Sequence, residues 1–376
     1  MEPFTLHVPD AELADLHARL RATRLLPDQQ GAPHVGMTSD YLAELVASWL
    51  ELDWRERERW LAAHPQAIAE IDGARIHHAH LRAADTDAPA LLVLHGWPHT
   101  FALQLDLAER LPDMHVVVAS LPGFGFSTPF AEGPMGEQRL ADAMHDLMTR
   151  VLGYRTFLTY GEDVSANVSD RIASSYPGSV AGIVATHAHF PTEAERTELV
   201  DPDARAFFER LAADAPFASA YAHAQATRPD TLAVGLNDSP AGLLSWIVEK
   251  LVEWSDTPAG DPRLVERRIA RERLLTEASI YWFGQSIGTS FRPYFESVDD
   301  GPIAPVEVPA AVHVQRHEAD YPESLARGFY RDLRTFERLE QGGHFAIAEV
   351  PDAMAARFRA FAIALGLLAA QSPAEP

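Results

Sequence analysis

The chain contains no cysteine. That excludes disulfides, thiol catalysis and every metal site built on thiolates. Lysine is almost as scarce: Lys250 is the only one, so the basic charge is nearly all arginine, a bias typical of GC-rich bacterial coding. Positive charge is itself in deficit, with 31 Lys and Arg against 54 Asp and Glu, for a formal net charge of -23. Nucleic acid and anionic membrane surfaces need clustered positive charge, so neither is an expected partner. No run reaches the roughly 18 apolar residues of a membrane span. The first ten residues lack the charged start and apolar core of a signal peptide. These absences lead to the expectation of a soluble, cytoplasmic, bacterial protein.

What is present is core-forming material. Of 376 residues, 47% are hydrophobic, enough for one large domain with an inserted or appended part. Asp10 is expected to cap a helix carrying Leu13, Leu16 and Leu20. A loop rich in Gly, Pro and Gln follows over 27–36, and residues 41–63 read as two amphipathic helices. Asp72-Gly73 between two alternating runs predicts a β-hairpin. From Ala90 short continuous apolar runs alternate with helical patterns, at 90–94, 115–119, 156–160 and 180–184. Buried strands alternating with helices argue for a mostly parallel sheet covered on both faces, with a site at the carboxyl ends of its strands. Between about 191 and 293 the pattern is helical, including 203–213 and 243–254. Strand signals return at 308–314 and 336–339, before a helix over 351–364. Residues 371–376 read as a frayed tail.

Four segments carry chemistry. Gly161-Glu162-Asp163-Val164-Ser165 follows a strand and opens a helix, with small residues flanking a central Asp, the pattern of a nucleophile elbow. A carboxylate there suits attack on an sp3 carbon through an ester intermediate; the plainer reading is that Asp163 only caps a helix. His95-Gly96-Trp97-Pro98 follows the 90–94 strand, where the N–H groups of Trp97 and Val164 would form an oxyanion hole. Gly342-Gly343-His344-Phe345 puts His344 last in chain order, as a general base requires in this fold. A carboxylate should orient it, and Glu318 and Asp320 both follow the 308–314 strand.

Taken in order, these motifs with Leu121-Pro122-Gly123-Phe124-Gly125-Phe126-Ser127 resemble epoxide hydrolases of the microsomal type. Arg19-Leu20-Arg21-Ala22-Thr23-Arg24 and Asp53-Trp54-Arg55 look like that family's N-terminal segment, so the similarity covers nearly the whole chain. The resemblance implies an α/β-hydrolase fold with an α-helical cap. It implies an N-terminal helical segment and hairpin over 1–85, a catalytic domain over 86–190 and 300–376, and the cap over 191–299. By the same match Tyr221 and Tyr294 hold and protonate the epoxide oxygen, and Glu318 is favoured over Asp320 as the acid. His95, Pro98, His187 and Phe345 are expected to contact substrate, with His189 a further candidate. The family commonly has Gly-Gly-Asp-Trp-Gly at the elbow; Glu162 and Val164 depart from it. The implied partner is a small-molecule epoxide, met in detoxification or in secondary-metabolite biosynthesis, and a homodimer is admitted. No residue cluster suggests a metal, and the reaction needs no cofactor. The competing functions are haloalkane dehalogenation, which uses the same Asp but wants an indole donor where Val164 stands, and ligand binding without catalysis.

Overall fold

The computed structural model describes residues 1–27, 36–296, 300–316 and 319–370. Most of the expected loop over 27–36, the expected tail over 371–376 and Glu318 lie outside the described residues. Nine strands form one sheet: β1 (Glu2–Pro3), β2 (Gln66–Ile71), β3 (Ala74–Leu81), β4 (Ala90–Leu94), β5 (His115–Ala119), β6 (Phe157–Gly161), β7 (Val180–Ala185), β8 (Val306–Val314) and β9 (Tyr330–Arg338). Their spatial order is β1-β2-β3-β5-β4-β6-β7-β8-β9. Pairing is antiparallel from β1 through β3 to β5 and parallel from β5 to β9.

The central strands follow from their composition. Every residue of β4 and β5 is buried, as a strand covered on both faces requires. Asp72 and Gly73 both take positive φ, which the two-residue hairpin joining β2 to β3 demands. Helices cover the sheet, among them Phe101–Glu109, Val164–Ser175 and Pro351–Ala364. The mostly parallel sheet with flanking helices is the α/β-hydrolase architecture that the family resemblance implied.

Between β7 and β8 the described chain is helical, with Pro202–Ala218, Ala220–Thr227, Pro240–Trp254 and Arg271–Gly284 the main segments. Ser239 caps one of these: its Oγ accepts from Gly242 N–H at 3.0 Å, and Pro240 occupies the first turn. The N-terminal helices Ser39–Glu51 and Trp54–Ala62 pack against this insertion, where Trp49 Nε1 donates to Ser279 Oγ at 2.9 Å. Among the described residues no helix is long and apolar enough to cross a membrane.

Two local expectations are corrected. Asp10 does not cap the first helix: Pro9 holds that place, and the Asp10 carboxylate pairs with Arg55. The last strand begins at Tyr330 rather than Phe336. Its exposed arginines and Glu337 mask the alternation, as charge on an edge strand does.

Candidate active site

Asp163 sits between β6 and the helix Val164–Ser175 at φ 53, a left-handed conformation unusual for a non-glycine residue. Its neighbours make the turn possible. A Cβ on Gly161 would lie 2.0 Å from the Ser165 carbonyl oxygen, so only glycine fits. Ser165 Oγ donates to the Leu94 carbonyl and accepts from Glu162 N–H, which ties the elbow to β4. The turn pushes Asp163 out above the strand ends, while Glu162 points inward.

The loop after β4 meets the elbow at Gly96, where a Cβ would come within 2.3 Å of Asp163 Cβ. That approach lets Trp97 N–H donate to Asp163 Oδ1 at 3.1 Å. Oδ2 lies 3.4 Å from His344 Nε2. Burial alone would raise the Asp163 pKa. The His344 contact and the N–H groups of Val164 and Trp97 outweigh it and hold the carboxyl down at about 2. The group is therefore an anion.

His344 follows β9 on the loop Gly342-Gly343. The backbone of that loop is held by carboxylates: Gly342 N–H donates to Asp256 at 3.1 Å, and Gly343 and Phe345 N–H to Glu349 at 3.1 and 3.2 Å. The imidazole lies 4.8 Å from the Trp254 ring. Its Nδ1 is 3.1 Å from His187 Nε2.

The two tyrosines come from the helical insertion. Tyr221 stacks on Trp97 at 5.1 Å and 11°, and its ring lies 6.2 Å from that of Tyr294. Burial, reinforced by the Asp163 charge, pushes both phenols above their ordinary range, so both keep their protons. Lys250 reaches in from behind, its ammonium 5.3 Å from the Tyr221 ring centroid while paired with Glu249 and Glu253.

The structure thus gathers Trp97, Val164, His344, Tyr221 and Tyr294 around Asp163. The other expected residues sit differently. His95 is fully buried with both ring nitrogens committed: Nε2 accepts from Leu121 N–H at 3.1 Å and Nδ1 bonds the Gly96 carbonyl at 3.0 Å. Burial drops its pKa to about 3, consistent with a neutral ring that braces the loop rather than binding substrate. Pro98 follows a cis peptide bond from Trp97. Phe345 is fully buried against His99, His344 and Trp254. His187 lies against the His344 ring, and His189 stacks on Phe329. Asp320 turns to solvent and pairs with Arg210.

Trp254, Lys250 and His99 were not anticipated. His99 could have been suspected from its place directly after the His95-Gly96-Trp97-Pro98 motif. Among the described residues no group of three or more His, Asp or Glu is placed to hold a metal ion.

Comparison with known proteins identifies the family and the fold. Residues 1–103 match the family model for the epoxide hydrolase N terminus, and residues 89–237 match that of the alpha/beta hydrolase fold. Epoxide hydrolase 1 of Oryctolagus cuniculus is 31% identical over 402 residues, covering 94% of this chain and 87% of that protein. The crystal structure of juvenile hormone epoxide hydrolase from the silkworm Bombyx mori superimposes with a TM-score of 0.86 at 25% identity, covering 97% and 94% of the two chains. Epoxide hydrolase from Aspergillus niger gives a TM-score of 0.81 at 27% identity, covering 97% and 96%. The chain belongs to the epoxide hydrolases of the α/β-hydrolase fold, hydrolases that act on ether bonds.

Proposed function

We propose that this protein converts a small-molecule epoxide to a vicinal diol through an ester on Asp163. The observation that carries this is the setting of the carboxylate: one oxygen on the Trp97 N–H, the other facing His344 Nε2. Oδ2 attacks an epoxide carbon and the ring C–O bond breaks. Tyr221 or Tyr294 gives its proton to the departing oxygen, which becomes the first hydroxyl. His344 then takes a proton from water as that water adds to the ester carbonyl, whose oxygen the Trp97 and Val164 N–H groups stabilise. Collapse releases the second oxygen, which takes the proton from His344. Asp163 emerges as an acid and returns its proton to the tyrosinate, a downhill transfer for a carboxyl of pKa about 2 facing a phenol of raised pKa. Glu318 is the acid we assign to His344; Asp320, paired with Arg210, is occupied elsewhere. The helical segment over 191–299 acts as the cap that carries both tyrosines.

The test is to trap the ester. His344→Gln should form it and fail to hydrolyse it, so incubation with mixed epoxides and alkyl halides should add a whole-epoxide mass to Asp163. An adduct lacking its halogen would instead make the protein a dehalogenase. No adduct across a broad panel would point to a binding protein. Asp163→Asn should abolish diol formation, and an unchanged rate would sink the mechanism.

A further inference from the structure

The proposed reaction gives Glu162 no task, yet its side chain is only 1% exposed and stands one residue from the nucleophile. A buried carboxylate needs partners. Tyr160 Oη donates to Oε1 at 2.6 Å, and His99 Nε2 lies 3.0 Å from Oε2. Gly96 N–H also points at His99 Nε2, at 3.3 Å. One nitrogen cannot both donate to a carboxylate and accept from an amide. The shorter bond, to the stronger acceptor, places the proton on Nε2.

From Tyr160 a chain of contacts runs back to the base. Tyr160 Oη is 2.9 Å from Thr186 Oγ1, Thr186 Oγ1 is 3.3 Å from His187 Nδ1, and His187 Nε2 is 3.1 Å from His344 Nδ1. Tyr160, Thr186 and His187 are all buried. Counting protons fixes the direction of every bond. Burial holds the Tyr160 pKa well above its usual range, so it keeps its single proton, which goes to Glu162. Its oxygen must then accept from Thr186. The Thr186 proton being used, its oxygen accepts from His187 Nδ1–H. Burial, then the neighbouring His344, keep His187 neutral, so its Nε2 is bare and accepts from His344 Nδ1–H.

We propose that Glu162, Tyr160, Thr186 and His187 form a positioning relay that fixes His344 as the Nδ1–H tautomer, leaving Nε2 bare towards the Asp163 ester. This inference rests on the roles of Asp163 and His344 given above, and the relay acts alongside the acid assigned to Glu318. Among the described residues the ionisable groups around the imidazole include Asp163 and His187, His99 beyond them, and Asp256 and Glu349 under its own loop. The relay adds to these the pull of a carboxylate that touches neither substrate nor base. Glycine at position 162, common in the family, would leave Tyr160 without that acceptor.

The experiment uses Thr186→Val, which cuts the chain with a side chain of the same shape, and Glu162→Gln, which removes its charged end. Ester formation and ester breakdown are timed separately in single turnovers, with the epoxide that labels Asp163 in the His344→Gln protein. We expect ester formation to be nearly unchanged in both variants and ester breakdown to slow by about five- to tenfold, the loss of one buried hydrogen bond. The acid limb of breakdown should move to lower pH, because the imidazolium loses support. Breakdown rate and acid limb unchanged in both variants would overturn the relay. So would an equal fall in both steps, which marks a purely structural role. Nitrogen NMR of histidine-labelled protein, assigned by difference against His344→Gln, tests the relay without an epoxide. In an Asp163→Ala background, which removes the anion that faces Nε2 in the resting protein, His344 as Nδ1–H and a tautomer mixture on adding Thr186→Val support it, and Nε2–H refutes it. Failure of the parent to form any ester would overturn the proposed chemistry and leave this NMR outcome to decide the relay.

Discussion

Gly96→Ala tests how closely the two loops of the site must approach. A Cβ at this position would stand 2.3 Å from Asp163 Cβ, 2.7 Å from the Glu162 carbonyl oxygen and 2.9 Å from Asp163 Oδ1. Carbon atoms in contact sit about 3.5–4.0 Å apart, so the loop and the elbow must separate by more than about 1 Å. Backbone cannot swing aside as a long side chain does, and the elbow is already in the left-handed region at φ 53. The motion therefore breaks the 3.1 Å bond from Trp97 N–H to Asp163 Oδ1. Removing one oxyanion donor costs about 100- to 1,000-fold in rate, and a misplacement of about 1 Å costs about 100-fold by itself. We expect kcat/KM for diol formation to fall by at least about 100-fold. Stability should fall by about 1–3 kcal/mol, the usual cost of overpacking. Stopped-flow diol formation and urea unfolding measure the two. A folded Gly96→Ala protein within about threefold of the parent in kcat/KM would refute the reasoning.

Other consequences are testable in the same way. Tyr294→Phe and Tyr221→Phe should each slow ester formation by about tenfold or more while leaving ester breakdown unaffected, since each removes a proposed proton donor to the epoxide oxygen; single-turnover kinetics separate the two steps. Glu277 is fully buried, accepts from Thr100 N–H, and has its pKa pushed by burial from 4.5 up to about 7. The folded protein thus binds this proton more tightly than the unfolded one, so the group's contribution is present below pH 4.5 and is lost as pH rises towards 7. The shift corresponds to about 3 kcal/mol. Urea unfolding at mildly acidic and mildly alkaline pH should show Glu277→Gln gaining relative to the parent on the alkaline side, and an equal difference at both would count against it. Gly235 is exposed in the helix Pro229–Asp238 with open space at its Cβ, so Gly235→Ala should stabilise by about 0.5–1 kcal/mol in thermal or urea unfolding.

Much of the catalytic frame was legible because it is written in backbone constraints next to strands. Gly161 and Gly96 are required by close approaches, and each lies within two residues of a strand end, where a reader of sequence looks. The tyrosines were not legible on the same terms. Nothing local separates Tyr221 and Tyr294 from the chain's nine tyrosines, and only resemblance selected them. The contacts of Glu162 were hidden for a different reason. Its partner His99 is 63 residues away, and His187 is 157 residues from His344, so these pairs exist only after β4, β6, β7, β8 and β9 lie side by side. The same holds for His95, whose motif suggested a substrate contact and whose nitrogens turn out to hold Gly96 and Leu121.

The oxyanion donors we propose are main-chain N–H groups of Trp97 and Val164, both of which point at the Asp163 carboxylate. Every residue except proline carries such a group, so the electrostatics of the cleft are largely invisible to side-chain replacement. An alanine scan of this protein would therefore score position 164 as tolerant and position 97 by its indole packing, and would assign neither to the chemistry. Replacing those two amides by backbone esters, which delete the N–H and keep the side chain, is what would expose them. Two positions that such a scan would rank high, Gly96 and Gly161, matter for the opposite reason: their contribution is an atom that is not there.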